Sequence, residues 1–209
     1  ALSATPNDHF ITAMTEASQD AYELVQRQAI RFIAKNGDRR LIPALIRLSI
    51  ANNTSDRCNF NVMTALACFP KEDLLAEFDR QFDAPSVQYL DKNNLRGKIR
   101  NTIAHSADRL TTDIDKVVKG EASEKDRTFT IRALRNTLPH HKVPELLVYL
   151  QDCGDGNTQI LLLEALGWHT VSCHAADIAA TALKMSEDAS LPNTVRQEAL
   201  KTYLRIHEK

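Results

Sequence analysis

No stretch of this chain approaches the ~20 consecutive apolar residues that a bilayer-spanning helix needs. The longest apolar run, "ILLLEALGW" at 160–168, is interrupted by Glu164. We therefore expect a water-soluble chain with no membrane among its partners. Six glycines and seven prolines are few for 209 residues, and no segment is dominated by Gly, Ser, Pro or one sign of charge. That excludes a long flexible interior linker. Charge of one sign is also missing: 26 Lys and Arg stand against 27 Asp and Glu. No global field then draws the chain to nucleic acid, and a charged partner has to be met by a local patch.

The common signatures of catalysis are absent too. There is no G-x-S-x-G, no Gly-rich phosphate loop and no H-E-x-x-H, so no residue is singled out as catalytic. The chain holds four cysteines. Cys58 and Cys68 are expected on one helix, about 15 Å apart along its axis, too far to bridge. Cys153 and Cys173 are expected at opposite edges of the fold. A chain without a disulfide-competent pair fits a reducing, cytoplasmic compartment. The start at Ala1 also fits an exported mature chain after signal-peptide removal.

What is present is a repeat. "RRLIPALIRLS" (39–49) and "HKVPELLVYLQ" (141–151) share one frame, with Pro43 and Pro144 separated by 101 residues, three periods of about 34. Intermediate and later copies put Leu75, Thr111 and Ala179 in the proline's place. A second frame, a small residue or Thr followed by Leu or Ile, precedes each copy. It falls at Ala29-Ile30, Ala65-Leu66, Thr102-Ile103, Ala133-Leu134, Ala165-Leu166 and Ala199-Leu200.

Both frames read as helix. In "VQRQAIRFIAKN" the apolar Val25, Ala29, Ile30, Phe32 and Ile33 recur at helical spacing opposite Arg27, Arg31 and Lys35. Gly37 then ends the helix and Asp38 is placed to cap the next. Pro43 and Pro144 sit near the starts of second helices, where a missing N–H costs little. No alternating stretch calls for a sheet.

The runs "QRQAIRFIAKNGDRRLIPALIRLSI", "RTFTIRALRNTLPHHKVPELLVYL" and "NTVRQEALKTYLRI" resemble HEAT repeats, and the resemblance extends from about Gln19 to Ile206. It implies an all-α fold, an α-α superhelix of about five to six helix pairs forming a right-handed solenoid. Residues 1–209 would be one domain, either complete or a module of a longer protein. Two copies are degenerate, and "DAPSVQYLDKNN" departs from the pattern.

In such a stack the turns inside successive pairs line one edge. They are expected at 36–39, 69–73, 105–110, 138–142 and 167–174, which carry His105, His140, His141, His169 and His174. Two roles compete for these histidines. Imidazoles from adjacent turns, with Cys173, suit zinc; the candidate ligands are His140, His141, His169, Cys173 and His174. Histidines at helix C-termini also complement the helix dipole without any metal. Trp168 is expected as an apolar plug between repeats, its indole N–H finding a carbonyl.

Three functions follow. The leading one is a protein partner bound on the concave face of the second helices, through Arg47, Glu145, Tyr149, Asp177 and Lys184. The second is an enzyme on a HEAT scaffold. The resemblance brings in deoxyhypusine hydroxylases, which use His-Glu pairs, whereas this chain's single pair is His207-Glu208. It also brings in alkylpurine DNA glycosylases and phycobilin-lyase-type repeats, without an assignable catalytic residue here. The third is anion or nucleic-acid binding by Arg27, Arg31, Lys35, Arg39 and Arg40, against which stands a solvated face with acids such as Asp38 nearby.

Overall fold

The computed structural model describes residues 8–51, 59–83 and 92–208. Among them the chain is all-α. Eleven α-helices follow one another: α1 (Asp8–Ser18), α2 (Glu23–Asn36), α3 (Ile42–Ala51), α4 (Asn59–Leu66), α5 (Lys71–Phe82), α6 (Lys92–Val118), α7 (Glu124–Leu134), α8 (Val143–Asp152), α9 (Gly156–Leu166), α10 (Ala175–Glu187) and α11 (Asn193–His207). Short 3-10 turns, Arg39–Leu41 and His140–Lys142, lead into α3 and α8. No described helix is long and apolar enough to cross a membrane.

Local chemistry sets several boundaries. Gly37 has φ 73° and returns its N–H to Ile33 O, a left-handed helix end that glycine adopts without a Cβ penalty. Asp38 Oδ1 then accepts from Arg40 N at 2.9 Å. Ser123 Oγ accepts from Asp126 N at 3.1 Å at the start of α7, and Asp155 Oδ1 from Asn157 N at 3.2 Å at the start of α9. Each satisfies one of the N–H groups that a helix leaves without an internal partner.

The expected turn at 105–110 is a correction. Those residues lie inside the 27-residue α6, with His105 exposed on it. The segment has no Gly or Pro between Lys98 and Lys119. Its cap-forming side chains are also used internally: Thr102 Oγ1 donates to Lys98 O and Ser106 Oγ to Thr102 O. Thr102 and Thr111, the third copies of the two repeat frames, therefore share one helix. Every other copy of either frame lies on a helix of its own.

The chain divides into two compact units, Thr5–Arg109 and a second containing Leu110–Lys209. In the N-terminal unit α2 packs on α4 and α3 on α5. Its core holds Ile30, Ile33, Leu45, Phe69, Phe78, Phe82, Ile99 and Ile103. In the C-terminal unit α7 packs on α9, α9 on α11 and α11 most extensively on α10, while α8 touches α9 and α10. Helix α9 touches α7, α8 and α11, which is why "ILLLEAL" is apolar over most of its surface; Leu162, Leu163, Ala165 and Leu166 are all buried. Two polar side chains are buried with them and satisfied: Gln159 Nε2 donates to Leu150 O at 3.1 Å, and Thr202 Oγ1 to Leu163 O at 3.0 Å.

Truncating the fully buried Phe78 to Ala is expected to cost about 3–5 kcal/mol. Phe129→Ala, at a side chain left in water, is expected to stay within about 0.5 kcal/mol. Denaturant unfolding of the two variants measures both.

The capping carboxylates predict acid sensitivity. The hydrogen bond from the Arg40 side chain holds Asp38 below its ordinary pKa, and that from Thr158 does the same for Asp155. A depressed folded-state pKa contributes stability that is complete above the unfolded value, about 3.9 for Asp. It is lost as pH falls through the folded value. The denaturation midpoint should therefore drop on acidification below about pH 4, and Asp38→Asn or Asp155→Asn should flatten that slope.

Candidate functional site

The C-terminal unit gathers most of the residues singled out from the sequence. The turn 167–174, between α9 and α10, is fastened by its own histidines and serine. His169 is buried, and its Nε2–H donates to Leu134 O at 2.6 Å; a carbonyl only accepts, so this nitrogen carries the proton. His140 is buried with Nδ1 3.0 Å from Ser172 Oγ, and that oxygen also accepts from His174 N at 3.1 Å. The His140 and His174 rings lie stacked at 6.4 Å, and His174 Nδ1 is 3.2 Å from Asp177 Oδ2. His141 is half-buried and Cys173 is exposed.

Of the five candidate zinc ligands, His140 and His174 are thus brought side by side. His169 is turned to a backbone carbonyl. No group of three or more His, Cys, Asp or Glu side chains able to hold a metal ion occurs among the described residues. Cys68 is buried just beyond α4, and burial pushes the Cys153 thiol above its usual pKa. Cys58 lies outside the described residues.

Trp168 departs from expectation. It is 46% exposed, and two cations lie over its ring: Arg135 Cζ is 4.4 Å and Arg205 Cζ 5.1 Å from its centroid. A guanidinium over an indole face is attracted by the ring quadrupole while its edge stays hydrated. That arrangement keeps the ring near the surface.

The candidate partner contacts separate by unit. Arg47 is exposed on α3 of the N-terminal unit. In the C-terminal unit Glu145 pairs with Lys142 at 3.0 Å, and Lys142 also reaches Asp115 at 2.7 Å. Lys184 Nζ donates to Gln151 Oε1 at 3.2 Å, tying α10 to α8. Tyr149 is partly buried, and that burial holds its phenol above its ordinary pKa.

Glu145 and Tyr149 line one groove of about 420 Å³ with Val118, Pro144, Val148 and Asp152. Val148 is 58% exposed there. Proline in the first turn of α8 and valine one turn later leave an apolar strip with a carboxylate at each end. A separate depression of about 500 Å³ is lined by Asp113, Lys116, Glu121, Asp126 and Phe129, among others, the last 73% exposed. Sequence reasoning missed both Phe129 and Val148. Each breaks the amphipathic pattern of its helix by standing apolar on the polar side, and that irregularity was the available signal.

The basic stripe is partly neutralised within the N-terminal unit. Arg27 pairs with Glu23 at 2.6 Å, Arg40 with Asp38 at 2.7 Å and Arg39 with Asp73 at 3.1 Å. Arg31 and Lys35 are exposed. Compared with protein-family models, curated proteins and solved structures, the chain matches none of them.

Ser172→Ala is expected to cost about 1–3 kcal/mol, because it removes a buried hydroxyl that serves both His140 and the His174 amide. Loss of thermal stability without loss of helix content in circular dichroism would register it.

Proposed function

We propose that this chain is a HEAT-type helical-repeat protein that binds a protein partner along α8. The repeat reading is supported by the reach of its tertiary hydrogen bonds. Lys71 to Asp108, Gln81 to Pro43 O, His140 to Ser172, His169 to Leu134 O, Lys184 to Gln151 and Thr202 to Leu163 O join residues 32 to 39 apart. That is one repeat of about 34 residues. Neighbouring copies are what such bonds connect in a solenoid of helix pairs, where each repeat touches mainly the next.

The groove on α8 carries the functional reading. Its occupant is a partner segment that places an aliphatic side chain against Val118, Pro144 and Val148, with Lys or Arg beside it. Charge complementarity selects that segment: Asp152 and Glu145, the latter shared with Lys142 at 3.0 Å, line the groove, and no Lys or Arg is among its described lining residues. An apolar anchor supplies affinity, while the acidic surroundings set partner choice and encounter rate.

A peptide library selected on the full chain and counter-selected on Val148→Glu tests this. Enriched peptides are expected to share an aliphatic residue flanked by Lys or Arg, and to bind the variant about tenfold more weakly or worse. Enrichment of acidic peptides, or equal binding to the variant, would refute the reading.

A further inference from the structure

Trp168 is the chain's single tryptophan, and two arginines from different helices converge on it. Arg135 stands at the end of α7 and Arg205 in the last turn of α11. Their pairing differs from that of the arginines held in close ion pairs. Arg27, Arg40, Arg80 and Arg96 each donate hydrogen bonds to carboxylates. Arg135 has only Glu164, at 3.7 Å, beyond hydrogen-bond reach. Arg205 Nη1 is buried without any acceptor among the described residues.

The backbone makes room for this. A Cβ on Gly167 would lie 2.7 Å from Arg205 Nη1 and 3.2 Å from Thr202 Oγ1. Any larger residue would push the guanidinium off the ring. Two like charges held on one indole repel each other, and a partly buried guanidinium with unused donors carries a desolvation cost. An oxyanion at the edge of the ring relieves the repulsion: it accepts from the remaining N–H groups of the two guanidiniums and offsets their charge, while Arg205 Nη1 stays buried.

We propose that Trp168, Arg135 and Arg205 form a binding site for a phosphoryl oxyanion. Two guanidinium forks on one ring, with Glu164 3.7 Å from one of them, suit the three acceptor oxygens of a phosphoryl group better than the two of a carboxylate. The anion is either free phosphate or a phosphorylated side chain of a partner, and both present the same oxygens.

Trp168 reports on the site by its own fluorescence. The full chain is titrated in one arm with inorganic phosphate and in another with a phosphoserine peptide, against sodium chloride at matched ionic strength, with calorimetry in parallel. Saturable binding in either arm is expected, and the tighter arm names the source. Arg135→Gln, at a half-exposed side chain on a helix end, should keep the fold by circular dichroism and weaken binding about tenfold or more. Arg205→Lys, which keeps the charge and loses the fork, should weaken it as well. Heat and fluorescence changes that chloride reproduces, or binding unaltered in both variants, would overturn the proposal.

Discussion

A helix of fewer than about 12–15 residues is marginal by itself in water, and ten of the eleven described helices have 15 residues or fewer. The architecture depends on that constraint. Each short helix has to bury an apolar stripe on more than one neighbour. In the C-terminal unit α7, α9, α11 and α10 satisfy this by packing one on the next, with α8 against α9 and α10. Helix α9, held from three sides, ends in the run "ILLLEAL", apolar at every position but Glu164. Helices with one side in water keep charges on it. Burial at about 25 cal/mol per Å² explains why Leu, Ile and Ala dominate the buried positions.

Polar residues on the turns are consumed by the same packing. His169, His140, Ser172 and Thr202 spend hydrogen bonds on groups 32 to 39 residues away. These bonds do what Gln159 does inside the core: they satisfy buried groups that would otherwise cost about 1–3 kcal/mol each. The turn rich in His, Ser and Cys is thereby a fastening first. Elsewhere in the unit Val148 stands exposed on α8, and two guanidiniums lie over the half-exposed Trp168.

Helix periodicity, the Gly37 turn, the Asp38 cap and the placing of both prolines in first turns were legible in the sequence, because each depends on residues within a few positions of one another. The long α6 was not. A run such as "IAHSADRL" is compatible with either helix or turn, and the choice fell to burial: Ile99, Ile103 and Ala107, one turn apart, enter one core. Trp168 was misread for a related reason: a large aromatic beside a glycine looks like a plug until the two arginines that occupy its ring, 33 and 37 positions away, are in place.

The sequence by itself thus determined that this chain is helical, with what period its apolar residues recur and where several of its helices begin and end, since hydrophobic spacing and capping are local. Only the tertiary structure decided which side chains are spent in holding the helices together and which are left facing solvent. That outcome depends on who meets whom across 32 to 39 residues of chain, and hydrogen-bond partners at that range are chosen by packing.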